Sequence, residues 1–216
     1  MIVTVQKSDS SGHGYLLEQM YRLRARTFFD RRRWRVSVHS GKEIDSFDEL
    51  DPLYVLSVSP QGELMASLRL LQTTGPHMLA DVFPETMSGA PIIRHPLIWE
   101  SSRFCVNTDG AGVTRAGISA ATSEILLALF EVAQRNAILN VVTVYDLLVE
   151  RVVRRAGCPF DRLGEPFEYD GLKTVAAVAA ASNATIKGIR EKTGIDTDIF
   201  TPIAANEAVL LRSQAS

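Results

Sequence analysis

The chain has 216 residues, a formal net charge of −2, 46% hydrophobic residues and 22% charged residues. This composition is that of an ordinary globular protein, and the near-neutral charge excludes a general attraction to nucleic acid. The longest uniformly apolar stretch, Val175 to Ala181, is far below the ~18 residues that cross a bilayer, and the first residues lack the pattern of a signal peptide. We therefore expect a cytoplasmic protein that has no membrane span.

No stretch resembles a linker between two cores, so we expect one α/β domain over residues 1–216. The four histidines are dispersed without ligand spacing, which predicts no metal site. Cys105 and Cys158 lie in apolar contexts, which favours two buried thiols over a disulfide.

The first quarter of the chain predicts a strand, a helix and a long loop. A short strand over Ile2 to Val5 precedes a helix over Tyr15 to Phe29. Arg24 and Phe28 are four residues apart and share a face of that helix. The segment from Asp30 to Asp51 has no sustained period and is rich in charge, and loops of this length are usually functional or disordered.

The next segment predicts an antiparallel hairpin. Leu53 to Ser59 and Glu63 to Leu71 read as strands, and Gly62 suits a turn position with positive φ. The alternation of side chains along the second strand places Arg69 on the face opposite its leucines.

A further strand, Ile98 to Val106, contains Glu100 and Arg103, which are an odd number of residues apart. In a regular strand these two side chains point to opposite faces. A β-bulge near Ser101-Ser102 would allow both to serve one site, so we predict an irregularity there.

The rest of the chain predicts a unit of helix, strand and helix, followed by less distinct segments. The first helix is expected over about Thr114 to Arg135 and the strand over Asn140 to Tyr145; Asp146 is expected to cap the second helix. The later segments are short strands over Phe160 to Leu163 and Phe167 to Tyr169, a strand or helix start over Lys173 to Ala180, and a helix over Asn183 to Lys192.

Several of these residues also form a spaced set. It includes an Arg-Leu-Arg-Ala-x-x-Phe stretch, a Glu43-x-Asp45-x-Phe47-Asp48 turn and a Glu-Ser-Ser-Arg-Phe strand. The full set is Arg24, Phe28, Trp34, Asp45, Asp48, Arg69, Glu100 and Arg103. In this order the residues resemble the signature of the acyl-homoserine lactone synthases, the autoinducer synthases of bacterial quorum sensing. The resemblance extends from about Tyr15 to about Phe167.

The resemblance implies an acetyltransferase-like α/β fold with three layers, in which helices flank a mixed central sheet with splayed strands. It implies an enzyme that transfers an acyl group from a thioester of acyl carrier protein or coenzyme A to the amine of S-adenosylmethionine. Lactonisation then gives the acyl-homoserine lactone and methylthioadenosine. Both reactants are substrates, so no cofactor is implied, and we expect a monomer or a weak homodimer.

The resemblance also implies roles for individual residues. Glu100, Asp48 and Arg103 are expected to be catalytic. A carboxylate with a raised pKa suits removal of the amine proton, and Glu100 is the best placed of the acids. Backbone N–H groups near Phe104 are expected to bind the oxyanion. The S-adenosylmethionine pocket is expected to contain Arg24, Phe28, Trp34, Asp45, Asp48, Arg69, Arg103 and Phe104.

Two regions have alternative interpretations. Thr143 is expected to line the acyl channel, at a position where threonine in this family often accompanies donors oxidised at the third acyl carbon; an ordinary strand residue explains it equally well. Arg151, Arg154 and Arg155 form a basic helix face that is expected to dock the acyl carrier protein, although a solvated helix end would look the same.

Two alternative functions also stay open. An ordinary N-acetyltransferase that uses acetyl-coenzyme A normally has an Arg/Gln-x-x-Gly-x-Gly/Ala loop for pyrophosphate, and the loop from Asn107 to Gly117 lacks that pattern. A non-catalytic sensor of S-adenosylmethionine or of an acyl chain would have little need for Glu100 and all three signature arginines.

Overall fold

A mixed β-sheet organises the described part of the chain, which comprises residues 1–108, 112–114 and 116–200 of a computed structural model. The strands are β1 Ile2–Gln6, β2 Val38–His39, β3 Lys42–Glu43, β4 Leu53–Val58, β5 Leu64–Gln72, β6 Ile98–Val106, β7 Asn140–Asp146, β8 Asp161–Arg162, β9 Phe167–Tyr169 and β10 Leu172–Ala180. The α-helices are α1 Gly14–Arg24, α2 Met78–Asp81, α3 Ala120–Arg135, α4 Leu147–Arg155 and α5 Asn183–Thr193. Short 3₁₀ helices span Lys7–Asp9, Ser46–Glu49 and Pro84–Met87, and a π-helical turn over Ala25–Arg31 continues α1.

The main sheet has the strand order β1-β4-β5-β6-β7-β10-β8, and β9 also pairs with β10. The pair β6 and β7 is parallel, and the other pairs of this sheet are antiparallel. Successive strand residues point to opposite faces. Tyr54 and Leu56 therefore pack with α1, whereas Val55 and Leu68 pack with α3. This is the three-layer arrangement with a mixed sheet that the sequence predicted.

The strands β6 and β7 diverge towards their carboxyl ends. Their parallel pairing begins at Ile98 and Asn140 and ends at Ser101 and Thr143. Both strands continue beyond that point, β6 paired with β5 and β7 paired with β10. A gap therefore opens through the sheet, as expected of splayed central strands.

A β-bulge interrupts β6 at the edge of this gap. Arg103 and Phe104 together face the single residue Leu68 of β5, and Arg103 has φ 55, in the left-handed region. The sequence predicted the bulge near Ser101-Ser102. The bulge lies one to two residues later, at Arg103 and Phe104. The left-handed backbone of Arg103 accommodates the extra residue.

Other predictions were also confirmed or corrected. Gly62 has φ 88 in the turn between β4 and β5, as expected. The carboxylate of Asp146 caps α4 by accepting backbone N–H bonds from the first turn. The helix predicted from about Thr114 begins instead at Ala120, because the side chain of Ser119 caps it there.

The segment over Lys173 to Ala180 is a strand, β10. The segment 30–51 contains the small β2–β3 hairpin and a 3₁₀ helix. Both cysteines are free and buried, as predicted. In the described residues every helix is too short or too polar to cross a membrane.

Candidate active site

A buried network of ion pairs joins α1 to β3 and to the segment that follows β3. The Nε of Arg24 donates to Glu43 at 2.5 Å, and its two Nη atoms donate to Asp48 at 2.9 Å each. The Arg24 and Glu43 side chains are each 1% exposed, and that of Asp48 is 0% exposed. Charges that are shielded from water are stable only when they are paired and hydrogen-bonded. The hydrogen bonds of Arg24 therefore fix the positions of Glu43 and Asp48.

The same network reaches the two central strands. Arg69 of β5 lies 2.5 Å from Asp45 and 2.8 Å from Asp48. Arg103 of β6 lies 2.9 Å from Glu43 and 2.7 Å from Asp45. Three arginines therefore share three carboxylates, and the left-handed backbone of Arg103 turns its side chain towards the same acids that Arg24 and Arg69 contact.

Asp48 is the most enclosed acid of this network. In addition to the two arginines it accepts hydrogen bonds from Tyr54 Oη and from the backbone N–H of Asp45, both at 2.9 Å. Burial acts to raise the pKa of Asp48, but its hydrogen bonds and charge interactions with Arg24 and Arg69 hold that pKa well below its ordinary value. The group is an anion at any physiological pH.

Two adjoining cavities open beside the network. We call the first the apolar cavity: it has an empty volume of about 790 Å³ including its mouth and lies where β6 and β7 diverge. Leu126 and Leu129 of α3 line it on one side of the sheet, and Phe28 lines it on the other. It therefore passes through the gap between the strands.

The second, which we call the acidic cavity, measures about 1060 Å³ including its mouth. Glu43, Asp45 and Phe47 contribute to its wall. The residues that line both cavities are Trp34, Met78, Phe83 and Arg103. The two spaces therefore meet at these four side chains.

Aromatic rings form one wall of this junction. Phe28 and Trp34 stack with ring centroids 5.5 Å apart, and Trp34 lies 6.2 Å from Phe83. The guanidinium carbon of Arg103 lies 5.1 Å from the centre of the Phe28 ring. Such a wall favours a cationic ligand and excludes water.

Glu100 lines the apolar cavity close to the junction and is 1% exposed. Its two oxygens accept the backbone N–H groups of Met78 and Leu79 at 2.9 Å and 2.6 Å. Burial raises the pKa of Glu100, although these two N–H groups oppose the shift. The carboxylate is thus held in a fixed orientation and is more basic than a solvated glutamate, which suits proton transfer.

The remaining predicted residues lie in two places. Phe104 and Thr143 line the apolar cavity, and Thr143 pairs with Ser101 at the last point of β6–β7 pairing. Their roles in oxyanion binding and in the acyl channel stay predictions.

The three α4 arginines lie on an exposed surface. Arg154 pairs with Glu150 at 3.2 Å, and Arg162 pairs with the same carboxylate at 2.7 Å. For Arg151 and Arg155 the described residues provide no carboxylate within ion-pair distance, so their charges are available to a partner.

The structure brings the signature residues together but gives them different surroundings. In the described part of the chain Arg24, Arg69 and Asp48 line neither cavity, whereas Arg103 lines both. The sequence placed Asp48 among the catalytic residues and put all three in the S-adenosylmethionine pocket. Their enclosure favours support of Asp45 and Arg103 over contact with a substrate.

The lining residues that sequence reasoning missed include Glu43, Met78 and Phe83. Glu43 carried a signal, because it is a third carboxylate within the short Glu43 to Asp48 segment. Met78 and Phe83 carried none, because an isolated methionine or phenylalanine is far more often core than site.

Comparison with known proteins agrees with this geometry. The family model of the autoinducer synthases matches residues 10–189. The chain belongs to the autoinducer synthase family. It is 37% identical over 190 residues to a probable acyl-homoserine-lactone synthase of Sinorhizobium fredii, covering 88% of this chain and 91% of that protein. It is 38% identical over 171 residues to an acyl-homoserine-lactone synthase of Pseudomonas aeruginosa, covering 78% and 84%.

Solved structures agree with the family. The CoA-dependent acyl-homoserine lactone synthase BjaI, solved with SAM and isopentyl-CoA, superposes with a TM-score of 0.80 and 25% identity over 99% of both chains. A putative N-acetyltransferase from Lactobacillus plantarum matches with a TM-score of 0.54 and 18% identity, which shows the fold alone. The predicted acetyltransferase-like fold and the predicted acyltransferase family are both confirmed.

The buried position of Asp48 generates a stability prediction. Asp48→Asn keeps the shape but removes the charge that offsets Arg24 and Arg69. Breaking a buried ion pair on one side leaves an uncompensated charge, so we expect the free energy of unfolding at pH 7 to fall by about 3–5 kcal/mol. Urea denaturation measures this, and Asp45→Asn, whose side chain is 17% exposed, is the matched control that should lose less.

The same variant tests the pH dependence. Because the folded pKa of Asp48 is lowered, its stabilisation is complete above the unfolded pKa of about 3.9 and is lost as pH falls through the folded pKa. The unfolding free energy of the wild type should therefore decline more steeply below about pH 4 than that of Asp48→Asn. Equal slopes would show that Asp48 is not the source of the acid sensitivity.

Proposed function

We propose that the protein is an acyl-homoserine-lactone synthase, a quorum-sensing enzyme, and that each of the two cavities binds one of its two substrates. The acidic cavity binds S-adenosylmethionine, and the apolar cavity binds the acyl chain of a thioester donor. The observation that carries this proposal is the junction itself. Since four side chains line both cavities, an amine in one and a carbonyl carbon in the other meet beside them.

The charges of the acidic cavity match S-adenosylmethionine. This substrate carries an ammonium, a sulfonium and a carboxylate, which need anions and a cation at fixed positions. Glu43 and Asp45 supply negative charge, and Arg103 presents a guanidinium suited to a carboxylate. Phe28 and Trp34 shield the junction from water, which strengthens every charge interaction there.

The apolar cavity matches an acyl chain. Its part beyond the sheet is walled by side chains such as Leu126, Leu129 and Val153. Each buried methylene of a ligand is worth about 0.8 kcal/mol. The donor is an acyl thioester, and we propose acyl carrier protein or coenzyme A as its carrier; the BjaI structure, solved with isopentyl-CoA, contains a coenzyme A derivative.

The reaction then needs two displacements. The amine of S-adenosylmethionine attacks the thioester carbonyl, Glu100 takes the amine proton directly or through one water, and the thiolate leaves. Backbone N–H groups at the bulge near Phe104 stabilise the oxyanion. The methionine carboxylate next attacks the carbon beside the sulfonium, closes the lactone and expels methylthioadenosine. The positive charge on the sulfonium makes methylthioadenosine a good leaving group, so we propose that no cofactor takes part.

Membership in this family does not favour either alternative, an ordinary N-acetyltransferase or a non-catalytic sensor. We propose in addition a cytoplasmic enzyme, since both substrates are cytoplasmic metabolites, that acts as a monomer or a weak homodimer.

The first functional prediction concerns product formation. Purified protein should release methylthioadenosine only when S-adenosylmethionine and an acyl thioester are both present, because acylation of the amine precedes lactonisation. Chromatography quantifies methylthioadenosine, and mass spectrometry identifies the lactone. Acyl transfer to lysine or to aminoglycosides, with S-adenosylmethionine unchanged, would establish an ordinary acetyltransferase instead.

The second concerns Glu100 as the base. Glu100→Gln keeps the shape but cannot accept a proton, so kcat should fall roughly 10²–10⁴-fold with a modest change in S-adenosylmethionine affinity. The single-turnover rate of the wild type should rise with pH as Glu100 deprotonates, and the variant should lose that limb. The exposed Glu63→Gln is the control. A single-turnover rate near that of the wild type in Glu100→Gln would assign the proton to another group.

The third concerns the exposed arginines of α4. Replacing Arg151, Arg154 and Arg155 with alanine should raise KM for an acyl carrier donor, more at low than at high salt, because attraction between separated charges is screened by ions. The KM for S-adenosylmethionine should stay constant. Arg26→Ala with Lys173→Ala removes exposed charge elsewhere and serves as the control. An unchanged KM for the carrier donor would remove this helix from the docking surface.

A further inference from the structure

We infer that Arg31 binds the phosphate at the end of the donor's pantetheine arm, a group that acyl carrier proteins and coenzyme A share. The inference rests on the proposed function, because it assumes an acyl thioester in the apolar cavity. It assigns a substrate-binding role to a residue that lies outside the signature set.

Arg31 is hydrogen-bonded to residues at and just beyond the carboxyl end of β6. Its guanidinium donates to the carbonyl oxygen of Val106 and to Thr108 Oγ1, both at 3.3 Å, and to Thr27 Oγ1 at 3.0 Å. All three acceptors are uncharged. A guanidinium has five N–H donors, and the described residues supply no hydrogen-bond acceptor for the Nε–H or for one Nη1–H.

Its neighbour Arg32 is bound to β7, on the other side of the gap. Arg32 lines the apolar cavity and forms an ion pair with Asp146, at the end of β7. Arg31 and Arg32 therefore span the open ends of the two diverging strands. A donor whose acyl chain lies in the gap must pass its arm out beside them.

The charges of the two arginines are not equivalent. That of Arg32 is offset by Asp146. Among the described residues no carboxylate lies within ion-pair distance of Arg31, whose side chain is exposed. An oriented cation bound only to neutral acceptors retains its charge for an external anion, and arginine is well suited to phosphate.

The distances also agree. From Phe104 at the bulge to Thr108 the chain advances four residues, two within β6 and two beyond its end, which spans at most roughly 14 Å. The pantetheine arm has about thirteen bonds between its sulfur and its phosphorus, which is roughly 15 Å at the rise per bond of an extended chain. A thioester held at the junction, with its arm running along β6, therefore places the phosphate near Arg31.

The test compares three donors that carry the acyl group turned over fastest by the wild type: acyl-coenzyme A, acyl-4′-phosphopantetheine and acyl-pantetheine, which lacks phosphate. Arg31→Ala should raise KM about 10-fold for the first two and leave KM for acyl-pantetheine and for S-adenosylmethionine unchanged. Arg31→Lys, which keeps the charge, should recover part of the loss. Arg26→Ala, in the same π-helical segment and also exposed, is the matched control and should behave as wild type.

Three outcomes would overturn the inference: no change with any donor, an equal change with all three, or a change with acyl-coenzyme A alone, which would assign Arg31 to the nucleotide. Thermal denaturation first establishes that each variant is folded; if Arg31→Ala is not, the comparison of donors is made with Arg31→Lys, which should still show a smaller, phosphate-dependent rise in KM. Wild type that makes no lactone from any donor would refute the proposed function, and this arm of the experiment separates that failure from a failure of Arg31.

Discussion

The ion pairs between Arg103, Glu43 and Asp45 are the interaction on which the site depends. A left-handed backbone costs a non-glycine residue about 1–2 kcal/mol, and Arg103 adopts one inside a strand. The guanidinium is held at 2.9 Å by Glu43 and at 2.7 Å by Asp45, so the contacts of the side chain offset the strain of its backbone. Without the bulge Arg103 would point to the other face of the sheet, and the junction of the two cavities would lose its guanidinium.

The other ion pairs of the network hold Glu43 and Asp45 in position. Arg24 and Asp48 are completely enclosed, and they contact Glu43, Asp45 and Arg69, which brings α1, the 3₁₀ helix and β5 into one rigid unit. A buried ion pair contributes little net stability compared with apolar packing, but removal of one partner is costly. The main effect of the network is therefore to fix the positions of its side chains rather than to add stability. Glu43 and Asp45, which line the acidic cavity, are held in place in part by Arg24 and Arg69, which line neither of the two cavities.

The gap between β6 and β7 explains how one small fold handles two very different substrates. Because the parallel pairing ends at Ser101 and Thr143, the apolar cavity crosses the sheet, whereas the acidic cavity lies beside Met78 of α2. Glu100 lies between these environments. Its burial raises its pKa, and the N–H groups of Met78 and Leu79 fix its orientation, so both its basicity and its orientation depend on neighbouring elements rather than on its own strand.

The sequence by itself determined the order of most of the long strands and helices, the family and the identity of the charged residues, because these follow from periodicity, capping residues such as Asp146 and a spaced signature. It predicted that Glu100 and Arg103 need an irregularity between them, but placed the bulge before Arg103 instead of on it. Only the tertiary structure decided that Asp48 is enclosed while Asp45 faces a cavity, and that Glu43, Met78 and Phe83 belong to the site. The physical reason is that burial and pairing are set by contacts between segments far apart in the chain. Arg103 and Glu43 are separated by 60 residues, and no local pattern encodes their contact.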